Sequence, residues 1–469
     1  VSVDWSFVRL KDYCTKIGSG STPRGGANVY LDSGNVCLIR SQNIYNDGFS
    51  ENGLVFISDS DAEKLNNVEI ELNDVLINIT GDSVARVCLA PKDKLPARVN
   101  QHVAIIRTVK NELDPKFVRY FLPDRNTQNH LLTLAGTGAT RNALTKGMLE
   151  EFLVPKPDIL IQKKISKILS DLDEKIHLNN QINQTLESIA QTIFKSWFID
   201  FEPVRAKIAA KQEGTDTELA AMCAISGKSE AELKQMAEDD LAELQATAAL
   251  FPEELVESEL GEVPKGWEIL DIDKTTSLII DHRGKTPKKL GSDWSDTGIT
   301  VLSAKHIKDG YIVNREQLRF VDRELYNKWM KEELEEGDIL LTSEGPMGEM
   351  YYLASDEKYC LSQRLYALRA NTDLISSAFL YFWLLSPYAK SDMNGRATGT
   401  TVVGIRQSEL RKVKVLTPPK NICDLFNEKV KANLKQIALN NNKSVDLAHI
   451  RDILLPKLMA GDLTLSVGC

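Results

Sequence analysis

Paired cysteines are missing from this sequence. The seven cysteines stand at positions 14, 37, 88, 223, 360, 423 and 469, an odd number without a C-x-x-C pair, which argues against a disulfide framework and a zinc site. They read as small buried hydrophobes. Histidine is scarce as well, with six residues and no two of them three or four apart. Long apolar runs are absent: the longest, AFLYFWLL from Ala378 to Leu385, falls far short of the roughly 20 residues a membrane span needs. The first residues, VSVDWSFVRL, lack the basic start, apolar middle and cleavage site of an export signal, so the expected location is the cytoplasm.

A positive charge balance is also lacking, since the net charge is −9. That excess is local. Residues 203–262 hold 14 acidic and 5 basic side chains, leaving the rest of the chain neutral at 52 of each. Basic patches outside that segment remain compatible with a nucleic-acid partner.

What is present is ordinary soluble composition, 42% hydrophobic and 26% charged, over 469 residues, a length that exceeds a single core. Self-similarity organises it. SGSTPRGG (19–26) matches RGKTPKKL (283–290), and CLIRSQNIYNDGF (37–49) matches VLSAKHIKDGYI (301–312). LNDVLINITGDS (72–83) pairs with EEGDILLTSEGPM (335–347), and VNQHVAIIR with LSQRLYALR. Trp5 and Trp267 open the two halves, and VPKP (154–157) and LTPP (416–419) close their globular parts. The chain is an internal duplication. Within each copy, NVCLIR, DVLINIT and HVAIIRT read as strands and PKFVRYFL and ISSAFLYFWLL as helices, giving a mixed α/β domain of about 150 residues.

Beyond each Pro-rich close the period becomes helical. Ile161, Ile165, Ile168, Leu172, Ile176, Ile182, Leu186, Ile189 and Ile193 form one stripe, interrupted by Asn179 and Asn183; Phe426, Val430, Leu434, Ile437, Leu447, Ile450 and Leu454 form its copy, with Asn440 and Asn441. From Ile161 to Phe198 such a helix spans on the order of 57 Å at 1.5 Å per residue. One small domain cannot bury that length, so the two copies are expected to pair as an antiparallel two-helix coil. Its asparagines sit either on the seam, where they penalise wrong registers, or on the solvent side. Between the halves, SEAELKQMAEDDLAELQATAAL opens on a capping box, Ser229 and Glu232, and reads as a solvated helical connector. The expected divisions are 1–157, 158–202, 203–262, 263–419 and 420–469.

Catalytic readings fail on spacing. AGTGATRNALT (135–145) lacks the third glycine of a dinucleotide loop, and its copy RATGTTVVGIR (396–406) has no acidic ribose partner about 20 residues on. RGKTP (283–287) has Ile279 where a Walker A loop needs glycine. A DNA amino-methyltransferase needs an N/D/S-P-P-Y/F loop, and TPPK (417–420) lacks both of its ends. The chain therefore reads as a binder.

Base edges are read best by Arg, Lys, Asn and Gln, and the loops flanking the strands are rich in them. The candidates are Arg24, Arg40, Gln42, Asn43, Arg86, Asn100, Gln101, Arg141 and Asn142 in the first half. In the second they are Lys285, Lys288, Lys305, His306, Ser343, Gln363, Arg364, Arg396, Thr400 and Arg406. Taken singly, each is also an ordinary surface residue; their equivalent placement in the two copies selects them. Gly136, Gly138, Gly395 and Gly399 either let the backbone approach a phosphate neutralised by Arg141, Arg396 and Arg406, or form a tight turn. Two similar domains with different side chains would read a bipartite target.

FKSWFIDFEPVRAK (194–207), LFPEELVESELGEVPKGWE (250–268) and LLPKLMAGDL (454–463) resemble the specificity subunit of type I restriction-modification systems over nearly all of the chain. The resemblance implies two target-recognition domains and two helical regions in pseudo-twofold arrangement. It implies a non-catalytic adaptor that binds double-stranded DNA and no cofactor of its own. Two modification subunits carrying S-adenosylmethionine would dock on it, and two restriction subunits using ATP and Mg could join. Trp197, Phe198, Phe201, Trp267 and Leu458 are candidate docking anchors or, equally, core where helix meets domain. The rival readings are a self-contained DNA methyltransferase and a coiled-coil scaffold without DNA binding.

Overall fold

The computed structural model describes residues 5–136, 142–282, 284–399 and 401–463. Two compact units emerge, Val1–Asn179 with Asn442–Cys469, and Asn180–Asn441.

The two main sheets of the first unit hold seven strands: β1 (Cys14–Ser19), β2 (Val36–Ile39), β3 (Val55–Ile57), β4 (Val75–Asn78), β5 (Val87–Leu89), β6 (Ala97–Val99) and β7 (Val103–Thr108). One sheet is antiparallel in the order β1-β7-β4-β5. The other has the order β3-β2-β6, with β2 and β6 parallel. Strands β4 and β7 are apolar on both faces because the four-stranded sheet has a core on each side. Val75, Ile77, Ala104 and Ile106 enter one core, while Leu76, Val103 and Ile105, at alternate positions, enter the other. Helix Pro115–Phe121 packs on the first core. Its start is set by proline in the first turn and by Asp114, whose side chain accepts the Phe117 N–H at 2.8 Å.

The second unit repeats this pattern. The strands of its two main sheets are β8 (Thr276–Asp281), β9 (Ile299–Leu302), β10 (Arg319–Val321), β11 (Ile339–Thr342), β12 (Met350–Tyr352), β13 (Tyr359–Leu361) and β14 (Leu365–Ala370). The sheets run β8-β14-β11-β12 and β10-β9-β13, with β9 and β13 parallel. Ile339, Leu341, Tyr366 and Leu368 enter one core and Leu340, Leu365 and Ala367 the other. Even the buried charges recur. Arg107 grips Asp74 through Nε and Nη2, both at 2.8 Å, and Arg369 grips Asp338 at 2.9 and 2.8 Å. Each aspartate, 1% exposed, also accepts a backbone N–H, from Glu71 or Glu335, so the desolvated carboxylate is paired and hydrogen-bonded.

Two 40-residue helices, Ile159–Phe198 and Lys420–Met459, follow the globular halves. Within the first unit Arg451 donates to Asp173 at 2.8 Å, Asn179 to the Ser444 hydroxyl at 3.1 Å, and Leu458 and Met459 join Ile165 and Leu169 in the core. Within the second, the Phe194 and Phe426 rings lie 5.6 Å apart. There Asn183 donates to Asn441 Oδ1 at 2.7 Å and accepts from Asn440 Nδ2 at 2.9 Å. In both units later residues of one helix meet earlier residues of the other, so the local pairing is antiparallel. Asn179, Asn183 and Asn440 are buried, which places them on the seam rather than the solvent side.

Residues 203–262 depart from the expectation of a solvated connector. Helices Glu202–Glu213, Thr217–Ser226, Glu230–Leu233 and Glu238–Ala249 enclose a small core of Ala221, Met222, Leu233 and Ala248. Val204, Phe251 and Val263 enter the main core of the second unit. The capping box is present, with Glu232 accepting the Ser229 N–H at 2.8 Å, but its helix ends at Leu233.

Cys37, Cys88, Cys360 and Cys423 are buried and Cys14 and Cys223 partly so. Burial pushes the Cys88 and Cys360 thiols up to about 12, which keeps them unreactive. Among the described residues no helix is long and apolar enough to cross a membrane.

Candidate nucleic-acid interface

The parallel pair of strands in each unit positions the candidate side chains. Cys37 to Ile39 of β2 lie beside Ala97 to Val99 of β6. Arg40, Gln42, Asn100 and Gln101 therefore leave adjacent parallel strands at their carboxyl ends, the edge at which open α/β sheets hold ligands. In the second unit Thr300 to Leu302 lie beside Tyr359 to Leu361, which brings Ser303, Lys305, Gln363 and Arg364 together. There they line a cleft of about 420 Å³, joined by His306, Trp294, Gln317, Arg319 and Gly345.

Several candidates are held in place by their neighbours. The Arg40 guanidinium stands 5.3 Å above the Tyr30 ring and donates through Nη2 to the Gly53 carbonyl, which also accepts from Gln42 Nε2 at 3.2 Å. Arg86 stands 4.7 Å above Tyr45. In the second unit Arg319 stands 5.0 Å above Trp294, and Lys305 donates to Gln317 at 3.0 Å. Cation–π seating of this kind limits the rotamers of a long cationic side chain while leaving its outer edge open. Tyr30, Tyr45, Trp294, Arg319 and Gln317 did not come from the sequence reading, because their partners are distant in the chain.

Four candidates prove to be interior. Asn43 and His306 occupy the same position and the same job: Asn43 Oδ1 accepts the Arg40 N–H at 3.0 Å, and His306 Nδ1 accepts the Ser303 N–H at 3.1 Å, each closing a capping box. Both are buried, as are Asn100, which accepts the His102 N–H at 3.1 Å, and Ser343. Equivalence between the copies marked a shared structural role at Asn43 and His306. Burial, followed by the charge of Lys305, lowers the His306 pKa below its ordinary 6.5 and keeps the ring neutral.

Lys285 is tied to the Trp329 carbonyl at 2.6 Å and Arg396 to Asp392 at 2.7 Å. Arg24, Gln42, Gln101, Asn142, Lys288, Lys305, Gln363, Arg364 and Arg406 are exposed. Arg141 and Thr400 lie outside the described residues, as does Gly138.

The small-residue stretch is a turn in its second copy. Thr398 and Gly404 exchange backbone hydrogen bonds at 2.9 and 3.0 Å. Gly399 has φ +118° and a Cβ there would stand 2.1 Å from the Val402 carbonyl oxygen, so the turn itself demands glycine. Gly136 and Gly395 lie within helices.

The five candidate docking anchors are also core. Trp197, Phe198, Phe201 and Trp267 belong to one aromatic cluster of the second unit, with the Phe198 and Phe379 rings 4.9 Å apart. Leu458 is buried in the first unit. This corrects the docking role: side chains closed off in a core offer little surface to a partner.

A scaffold repeated in two units, each with an open donor-rich edge beyond a parallel strand pair, defines a duplicated recognition protein. The family model for the type I restriction modification DNA specificity domain matches residues 2–188 and 264–447. The chain belongs to that family. It is 29% identical over 477 residues to the type I restriction enzyme HindI specificity subunit of Haemophilus influenzae, covering 98% of this chain and 100% of that one. Its identity to the MjaIX specificity subunit of Methanocaldococcus jannaschii is 22%, covering 98% and 94%. The crystal structure of the type I restriction-modification S subunit from M. genitalium superposes with a TM-score of 0.59 at 14% identity, covering 97% of this chain and 96% of that one, a likeness of fold.

Proposed function

We propose that the chain is the sequence-reading subunit of a type I restriction-modification complex, without catalysis of its own. Each unit reads one half of a bipartite double-stranded DNA target through its strand-end loops. The paired long helices act as spacer and as docking site for two modification subunits, and two restriction subunits complete the assembly. S-adenosylmethionine, ATP and Mg belong to those partners.

The reading is carried by one observation: the same two-sheet scaffold is built twice, and at equivalent places its open edges carry different side chains, Arg40, Gln42 and His102 against Ser303, Lys305 and Arg364. A scaffold without DNA binding has no need of that divergence. The test is binding of the full chain, assembled with its modification subunit, to duplex DNA across a salt series. Sequence-selective binding that weakens steeply with salt is expected. Stoichiometric S-adenosylmethionine binding by the isolated chain would establish the self-contained methyltransferase instead, and the absence of salt-sensitive DNA binding would establish the scaffold.

A further inference from the structure

One place in the scaffold carries different chemistry in the two units. In the first, the Ile79 N–H donates to the His102 carbonyl at 2.9 Å and the Leu144 N–H to the Ile79 carbonyl at 2.8 Å. In the second, the Ser343 N–H donates to the Arg364 carbonyl at 2.8 Å and the Ile405 N–H to the Ser343 carbonyl at 2.9 Å. Thr80 bridges to Ala143, and Glu344 to Gly404. By backbone hydrogen bonding, Thr80 therefore corresponds to Glu344, and His102 to Arg364. The side chains pair in both. Thr80 Oγ1 lies 2.6 Å from His102 Nδ1, a hydroxyl–imidazole hydrogen bond. Glu344 Oε1 lies 2.9 Å from Arg364 Nε, an ion pair.

We propose that this shared position sets the difference in base preference between the two domains, and that the Glu344–Arg364 pair selects a G·C base pair in the half-site read by the second. The assignment rests on the DNA-reading function above. The Arg364 side chain is 50% exposed and that of Glu344 40%, and Arg364 lines the cleft with Lys305 and Gln363. A guanidinium offers two parallel donors that match the O6 and N7 acceptors of guanine. A carboxylate beside it accepts from the N4 amino group of the paired cytosine and repels phosphate. The carboxylate also restricts the guanidinium before DNA arrives, which reduces the entropy lost on binding. Arg364 holds this place at φ +67°, a backbone conformation unfavourable to any residue but glycine or asparagine. Backbone strain of this kind concentrates at ligand-binding sites. Thr80 and His102 place a hydroxyl and an imidazole at the same point and carry no such demand for guanine.

The test selects duplexes from a pool randomised over both half-sites, using the full chain assembled with its modification subunit, as wild type, Arg364→Ala, Arg364→Lys and Glu344→Gln. Arg364→Ala and Arg364→Lys are expected to lose about 10- to 100-fold of guanine preference at one base pair of one half-site. Glu344→Gln is expected to relax the same base pair by a smaller factor. The other half-site should be unchanged in all three, which also shows that each variant is folded. If Arg364→Ala weakens all duplexes alike and flattens the salt dependence by about one ion, Arg364 is a phosphate contact and the proposal fails. Unchanged preference in Arg364→Ala overturns it equally. Wild type that selects no sequence overturns the DNA-reading function itself, a result distinct from both.

Discussion

Asn183 is the point at which the helix pairing of the second unit is most open to test. Its side chain is 0% exposed, donates to Asn441, and accepts from Asn440, which is 4% exposed. Gln436 donates to Asn440 at 2.7 Å, so the asparagine sits in a chain of hydrogen bonds across the seam. In Asn183→Ala the Asn440 amide loses its acceptor where water does not reach, costing about 1–3 kcal/mol, while the partly exposed Asn441 recovers a bond to water. Lost packing adds about 1 kcal/mol, for a total of about 2–4 kcal/mol. Removing Asn440 as well should restore part of that loss, giving a coupling of about 1–2 kcal/mol. The assay is urea unfolding followed by tryptophan fluorescence. Five of the six tryptophans, at 197, 267, 294, 329 and 383, belong to residues 180–441, so the signal reports this unit. A shift below about 0.5 kcal/mol for the single variant, or strict additivity of the two, would refute the idea that the seam is dry and its polar contacts interdependent.

The pH response of the same unit depends on His306. Because burial lowers its folded pKa below the ordinary 6.5, the unfolded chain binds the proton more readily. The stability this contributes is complete above 6.5 and is lost as pH falls through the folded value. Replacing it with the residue used by the other copy, His306→Asn, should keep the capping hydrogen bond and make the pH dependence of the unfolding free energy shallower as pH falls below 6.5; an unaltered slope would show that the ring plays no part. Arg369→Met should leave the Asp338 carboxylate buried without its partner and cost about 3 kcal/mol in urea unfolding, the low end for a buried pair because the arginine is one-quarter exposed. Gly399→Ala should strain the turn at 398–404 and speed limited proteolysis there roughly tenfold, with equal cleavage rates counting against the turn's need for glycine.

Much of this architecture is legible in the chain because duplication supplies an internal comparison. The strand runs NVCLIR and DVLINIT recur in the copy with the same alternation, and the asparagines interrupting the helical stripes lie on the seam because only there does a polar residue break an otherwise apolar row. The site is less legible, for the same reason. Agreement between copies marks shared structure as readily as shared recognition, so Asn43 and His306 read as contacts and are caps. The informative position is one where the copies disagree on a common frame. His102 and Arg364 stand at matching places in VNQHVAIIR and LSQRLYALR, but Thr80 and Glu344 match only once the backbone hydrogen bonds set the register. Cation–π partners such as Trp294 and Arg319 carry no local signal at all, since side chains on different strands bring them together.

The way the chain is shared between the units also bears on its synthesis. The unit spanning 180–441 is one continuous stretch and can close while the ribosome is still working. The other draws Leu458 and Met459 into a core otherwise made of residues 10–169. The domain whose strands emerge first is therefore completed only once Leu458 and Met459 have been made, after the unit that lies between them in the chain.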